Sequence, residues 1–119
     1  MGKHIFKVAI VMFLNIIGLF ATQTAQAEKI SPYSVRYITF APTPILQKME
    51  VESPIVEELA SDTTGIVLRW CSPEFPFGKF MFGNEEERLS LLGERICEAS
   101  LNGRVLFISG KTIKPDLSE

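Results

Sequence analysis

This chain of 119 residues has a single histidine, His4. His4 lies within the first 27 residues, which are predicted below to be removed as a signal peptide. The remaining chain therefore has no imidazole. A Ser-His-Asp or Cys-His mechanism would then lack its general base. A zinc site with histidine ligands is excluded for the same reason, and two cysteines alone do not supply the usual four ligands. We therefore expect no enzymatic activity, no metal and no cofactor.

Clusters of basic residues and long apolar runs are also missing. The chain has 12 Lys and Arg against 14 Asp and Glu, which gives a net charge of −2. Binding to nucleic acid needs a basic stripe that matches the phosphates, so we expect no nucleic-acid partner. The longest apolar run, Val8–Ala21, has 14 residues and includes Asn15 and Gly18. A helix that crosses a membrane needs about 20 apolar residues, so we expect no permanent membrane span.

The first 27 residues have the three parts of a secretory signal peptide. The segment Lys3–Lys7 is basic, Val8–Ala21 is apolar, and Ala25–Ala27 supplies small residues at a cleavage site. This arrangement resembles bacterial export signals and predicts a periplasmic or secreted protein. We predict that residues 1–27 are a cleaved signal peptide and that residues 28–119 form one small exported domain. That domain has 92 residues, ten of them Lys or Arg and 14 of them acidic, so its net charge is −4.

Cys71 and Cys97 are the only cysteines of the chain. In an oxidising compartment an even number of cysteines predicts a disulfide. The loop between them has 25 residues, and the loop-entropy model then gives about 3.5 kcal/mol of stabilisation. A redox-active pair is one alternative, although such pairs usually have the spacing Cys-x-x-Cys at a helix start. A disulfide between two chains is another.

Strands are predicted where β-branched and aromatic residues concentrate between turn signals. Three segments satisfy this description: Ser34–Phe40, Gly65–Trp70 and Arg104–Ser109. A fourth segment, Ile45–Glu52, alternates only weakly.

Helices are predicted from their start signals. Ser53 suits a helix cap and the proline after it suits the first helical position, which predicts a short helix over Pro54–Ser61. A longer helix is predicted over Asn84–Asn102, because its first residue and Glu87 match the capping box and its apolar residues recur at helical spacing.

The expected fold class is α+β. A small mixed or antiparallel sheet of three to five strands would carry the long helix on one face, with a second short helix and one disulfide. The disulfide would tie the long helix to the end of the strand Gly65–Trp70.

The segment Ser72–Gly83 contains four Phe and one Met within 12 residues. Aromatic residues and Met are enriched at binding surfaces, and a neighbouring disulfide would reduce the ordering cost of binding. We therefore predict a surface that binds a protein or glycan partner in the cell envelope or outside the cell. Its residues are Trp70, Phe75, Phe77, Phe80 and Phe82. The alternative is that these rings cap the hydrophobic core.

The carboxylates indicate a functional site less strongly than the aromatic segment does. A glycosidase needs two carboxyl groups about 5–10 Å apart with one of them in an apolar pocket, and the spacing of Glu57, Glu58 and Asp62 does not require this. Glu85–Glu87 are consecutive on the predicted long helix, so they point in different directions and cannot converge on one metal ion.

The leading functional hypothesis is a small exported, non-enzymatic binding protein that uses the aromatic segment. The alternative is a subunit of a larger exported assembly, such as a secretion, pilus or toxin complex. A helix, a glycine and a strand follow one another over Asn84–Ser109. With one disulfide, this order resembles the small oligonucleotide/oligosaccharide-binding barrels of bacterial toxin binding subunits. That resemblance implies a ring-forming oligomer, whereas the residues themselves do not indicate an oligomeric state. A carboxylate-based hydrolase is the third hypothesis.

Overall fold

The fold is mostly β. A computed structural model describes residues 29–118, so the predicted signal peptide, residues 1–27, lies outside the described residues. Seven antiparallel strands form one sheet in the order β3-β2-β6-β5-β4-β1-β7. The strands are β1 (Arg36–Thr39), β2 (Thr43–Leu46), β3 (Ile55–Leu59), β4 (Ile66–Ser72), β5 (Ile96–Leu101), β6 (Arg104–Ser109) and β7 (Ile113–Pro115). Two short helices, α1 (Phe77–Met81) and α2 (Glu85–Gly93), lie between β4 and β5, and the 3₁₀ helix Gly110–Thr112 precedes β7.

The predicted α+β class, with a sheet of three to five strands and a long helix, is therefore wrong. The helix begins as predicted, since the Asn84 side chain accepts the Glu87 N–H and the Glu87 side chain accepts the Asn84 N–H. It ends at Gly93, however, and the second half of the predicted helix is β5. In β5 the alternate residues Cys97 and Ala99 are fully buried. Their alternation suits a strand hydrogen-bonded on both sides, by β4 and β6.

Asn102 and Gly103 form a hairpin turn rather than a helix stop. Both residues have positive φ, at 51° and 80°, which is the conformation of a two-residue type I′ turn. The turn matches Leu101 with Arg104 and joins β5 directly to β6. The same two residues were compatible with a helix end, which is why the sequence alone favoured the longer helix.

The predicted short helix over Pro54–Ser61 is also wrong, because this segment contains β3. The Ser53 hydroxyl accepts the Lys48 N–H at 3.0 Å and so closes the β2–β3 hairpin loop instead of capping a helix. The Gln47 N–H donates to the Pro54 carbonyl at 2.9 Å and extends the hairpin beyond the strands. The β-branched Ile55 and its neighbour Val56 favour the extended conformation.

The three predicted strands are confirmed. β1 lies within Ser34–Phe40, β4 begins one residue after Gly65, and β6 has the predicted bounds Arg104–Ser109. The weak strand pattern after Ile45 corresponds to β2, which begins at Thr43 and ends at Leu46.

The sheet is strongly curled, and the short connection between β1 and β2 requires this. Four strand spacings separate β1 from β2 in the strand order, which is about 19 Å in a flat sheet. The chain from Thr39 to Thr43 reaches at most about 14 Å. The curled sheet brings the start of β2 against the residue before β7, where Thr43 Oγ1 lies 2.6 Å from Thr112 Oγ1.

The core fills the inner, concave face of this sheet. Register partners on adjacent strands share a face, and one buried set runs through Cys71, Cys97, Ile108 and Ile45. Phe75 and Phe80 from the segment around α1 and Leu92 from α2 belong to the same buried cluster.

The predicted disulfide between Cys71 and Cys97 is confirmed, with an S–S distance of 2.01 Å. It joins two neighbouring strands, since Cys71 and Cys97 are direct register partners of β4 and β5. The expectation that it would tie a helix to a strand is therefore wrong, because Cys97 is not in a helix. Both cysteines are fully buried.

Candidate functional site

The five predicted partner-binding residues occupy three different environments. Phe75 and Phe80 are buried in the core. Phe77 and Phe82 are exposed at the start and just after the end of α1, with 44% and 64% of their surface accessible. Trp70 is 44% exposed in β4. The structure therefore does not bring the five residues together into one surface.

Phe75 and Phe80 match the alternative interpretation, in which the rings cap the core. Their ring centroids lie 5.0 Å apart in an edge-to-face arrangement, which is a favourable geometry for aromatic pairs. Tyr33 extends this cluster, because its ring lies 5.9 Å from both Phe75 and Phe77. The exposed Phe77 is thus held against a cluster whose other members are buried or half-buried.

We use the name α1 surface for Phe77, Phe82, Lys79 and Lys29. The Lys29 Nζ atom lies 5.7 Å from the centre of the Phe82 ring, within cation–π distance. Lys79 is exposed in the last turn of α1. Two accessible aromatic rings and two cations therefore lie on α1 and the residues beside it.

Two buried arginines hold the backbone beneath the α1 surface. Arg88 donates from Nε to the Phe80 carbonyl and from Nη2 to the Met81 carbonyl, both at 2.8 Å. Arg95 donates from Nη2 to the Glu74 carbonyl at 3.1 Å. The last carbonyls of a helix lack partners within the helix, so Arg88 satisfies groups that would otherwise need water.

The same arginines also pack against the buried rings. The Arg95 guanidinium lies 4.9 Å from the centre of the Phe75 ring, and that of Arg88 lies 5.8 Å from the Phe80 ring. Sequence reasoning missed both arginines, because charged residues are rarely buried unless they are paired. No spacing pattern in the sequence marks them.

A second apolar surface lies on the outer, convex face of the sheet. Register partners place one row of side chains across five strands: Trp70, Glu98, Phe107, Leu46 and Ile55. A parallel row contains Val67, Ser100 and Val105. We call the six apolar members of these rows the outer sheet face. Trp70, Ile55, Val67 and Val105 are exposed there, while Leu46 and Phe107 are half-buried.

The outer sheet face departs from the usual pattern of a solvated sheet, in which outward residues are polar. Glu98 is the only acidic residue in the two rows, and it pairs with Arg69 at 3.0 Å. Alternation within Arg104–Ser109 is the sequence signal for this face, since Val105 and Phe107 must point away from the buried Leu106 and Ile108.

Among the carboxylates considered for a hydrolase, Glu57 is held in an ion pair by Arg104. Arg104 donates to both carboxylate oxygens of Glu57, at 3.0 and 3.2 Å. These hydrogen bonds and the guanidinium charge lower the pKa of Glu57. A catalytic acid needs the opposite shift, so that it stays protonated near neutral pH.

Two further observations concern only residues 29–118. No helix there is long and apolar enough to cross a membrane. No three His, Cys, Asp or Glu side chains there are grouped closely enough to hold a metal ion.

Comparison with protein-family models gave no match for this chain. Comparison with curated proteins and with solved structures likewise gave no match.

Proposed function

We propose that this chain is a small exported, non-enzymatic binding protein that contacts a protein partner through the α1 surface. The observation that supports the proposal is the exposure of Phe77 and Phe82 on a segment whose backbone is fixed by buried arginines. Aromatic residues are enriched among the side chains that contribute most to protein binding.

The energetics are consistent with this role. Complete burial of a fully exposed Phe contributes about 1.5–3 kcal/mol. Phe77 and Phe82 are 44% and 64% exposed, so together they can contribute roughly as much as one such ring. The ordering of flexible side chains and loops opposes binding. Because Arg88, Arg95 and Tyr33 already hold the segment in place, little of that cost remains.

The export part of the proposal is supported by two features. The disulfide is compatible with an extracellular location, since disulfides persist in oxidising compartments. The sequence of residues 1–27 has the pattern of a signal peptide. N-terminal sequencing of the protein recovered from outside the cytoplasm should begin at Glu28. A mature protein that retains residues 1–27 would contradict predicted cleavage.

Site-specific photo-crosslinking tests the binding surface directly. A photoreactive phenylalanine analogue placed at Phe77 or Phe82 in the full chain should give one discrete crosslinked product in the native host. Val51 is the matched control position, because it is apolar and 85% exposed in the β2–β3 loop. The Val51 position should give no product.

The crosslinking results can either support or overturn the proposed binding surface. A product at Phe82 that disappears when Phe77 is changed to Ser would support a shared contact surface. Equal products at all three positions would indicate nonspecific collision, and no product at Phe77 and Phe82 would overturn the proposal.

The second candidate function is a subunit of a larger exported assembly. The outer sheet face supports it, because exposed apolar side chains that share one face of a sheet often mark interaction sites. Sedimentation equilibrium of the exported chain would test this function. We expect a discrete oligomer that dissociates in the Val105→Asp variant and persists in the control Val51→Asp. A monomer over the full concentration range would exclude self-assembly by this face.

A further inference from the structure

We propose that the free edge of β3 binds an extended basic peptide segment, which adds to the sheet as an eighth strand. β3 and β7 are the two edge strands of the sheet in the described part of the chain. The inference concerns a different surface from the α1 surface and does not depend on the proposed function.

The two edges differ in ways that matter for strand addition. β7 has only three residues and ends in Pro115, and the N–H of the next residue, Asp116, donates to the Arg36 carbonyl. Short length and proline both protect an edge from pairing. β3 has five residues, and its first four, Ile55 to Glu58, are exposed.

The backbone of β3 directs specific groups outward. The Gln47 N–H donates to the Pro54 carbonyl, and paired residues in an antiparallel ladder alternate between hydrogen-bonded and non-bonded pairs. The next pair, Leu46 with Ile55, is therefore non-bonded, and so is Pro44 with Glu58 after the bulge at Val56. The N–H and C=O groups of Ile55 and Glu58 thus point away from β2, toward the open edge of the sheet.

The position of Pro44 agrees with this assignment. Proline has no N–H to donate, and it lies opposite Glu58, where the ladder needs no donor. The pairing of β2 with β6 begins only at Ile45, so no hydrogen bond is lost on the other side either.

The side chains of β3 define the chemistry of the partner. Glu57 is already paired with Arg104, whereas Glu58 has no ion pair within residues 29–118. An incoming strand with Lys or Arg opposite Glu58 would gain a cross-strand pair. The apolar stem of a second Lys could cover Ile55 while its ammonium stays in water.

A second copy of this chain fits the same edge less well. Two β3 strands related by a two-fold axis would bring Glu57 and Glu58 of both copies together. Like charges on neighbouring strands are destabilising, so the edge favours a basic partner over itself.

Fluorescence anisotropy with the full exported chain tests the proposal. The probe is a labelled short peptide of alternating Lys and Val, and its twin has Glu in place of each Lys. We expect saturable binding of the Lys peptide and none of the Glu peptide. Glu58→Lys should weaken the Lys peptide about fivefold and allow the Glu peptide to bind.

A backbone variant separates strand addition from simple charge attraction. Glu58→Pro removes an outward N–H that the fold does not use, whereas Glu58→Gln removes only the charge. We expect Glu58→Pro to weaken binding about fivefold more than Glu58→Gln does, because a backbone hydrogen bond is lost as well. Glu52→Gln, in the neighbouring loop, is the control and should bind normally.

Amide hydrogen exchange gives the most direct readout. Added Lys peptide should slow exchange at the Ile55 and Glu58 amides more than at those of Val56 and Glu57. Equal binding by Glu58→Pro and Glu58→Gln would overturn the proposal, as would unchanged exchange at Ile55 and Glu58. Slowed exchange that depends on protein concentration without peptide would show that a second copy occupies the edge instead. Thermal unfolding of each variant confirms that the fold is retained.

Discussion

Trp70 and Cys71 are neighbours in β4, yet one is 44% exposed and the other is fully buried. The same contrast holds for the two faces of the whole sheet. The inner face carries the disulfide and the apolar core, whereas the outer face carries accessible Trp, Ile and Val side chains. Because side chains alternate along a strand, one short segment contributes to stability through some residues and to surface chemistry through the others. The two roles can therefore be separated by substitution.

The largest effect is expected from Phe80→Ala. Phe80 is fully buried against Phe75, and Phe→Ala in a core costs about 3–5 kcal/mol. Phe82→Ala is the matched control two residues later, and it should change the free energy of unfolding by less than about 0.5 kcal/mol. Urea unfolding of both variants measures the difference. Similar losses of unfolding free energy in the two variants would show that the exposed ring contributes as much to stability as the buried ring.

Removal of the disulfide is expected to cost nearly as much. The Cys71→Ala, Cys97→Ala double variant should lose about 3.5 kcal/mol, because the unfolded chain regains the entropy of the closed loop. The intact protein treated with a reductant under denaturing conditions and then refolded should show the same loss. If the double variant unfolds at the same urea concentration as the parent, then the inner face does not depend on the disulfide.

A smaller loss is expected from Tyr37→Phe, also on the inner face. The Tyr37 Oη donates to the Pro32 carbonyl at 2.7 Å, and a buried carbonyl without a partner costs about 1–3 kcal/mol. Thermal unfolding at neutral pH measures this loss, and Tyr33→Phe provides a comparison at a half-buried tyrosine.

Tyr37 also predicts a pH dependence. Burial raises the pKa of Tyr37 above its ordinary value, and the nearby Tyr33 adds to the increase. The unfolded chain therefore loses this proton first, at about pH 10. The contribution of Tyr37 to stability is complete below pH 10 and decreases as the pH rises further. Tyr37→Phe should show a shallower alkaline decrease, and an unchanged slope would contradict this cause.

The smallest effect on stability is expected on the outer sheet face. Val105→Thr keeps the β-branched shape at an exposed position, so the free energy of unfolding should change by less than about 0.5 kcal/mol. Leu106→Ala, the next residue on the inner face, should lose about 2–5 kcal/mol. A loss at Val105 comparable to that at Leu106 would show that the outer face is part of the core.

Part of this fold could be predicted from local signals. The strands at β1, β4 and β6 and the capping box at Asn84 depend on neighbouring residues, which are visible in the sequence. β5 could not be assigned in the same way, because the apolar residues from Ile96 to Leu101 fit both helical and strand periods. Only its pairing with β4 and β6, a tertiary contact, decides between them.

The candidate surfaces could also be predicted only in part from the sequence. Composition identified the segment Ser72–Gly83 as unusual, but it could not separate the buried Phe75 and Phe80 from the exposed Phe77 and Phe82. That separation depends on Arg88 and Arg95, which fix the direction of the backbone from beneath. The β3 edge could not be predicted, because Ser53 and Pro54 are the signals of a helix start. The same two residues are equally suited to the end of a hairpin loop.

The pairing of β1 with β7 has a consequence for the order of folding. Tyr37 lies opposite Pro115, so this side of β1 is completed only by residues that are far away along the chain. Contacts between such distant residues form slowly, because a long loop must close before they are gained. β1 can already pair with β4 through Tyr37 and Ile66, whereas its other side, which faces Lys114 of β7, stays open until that distant contact forms.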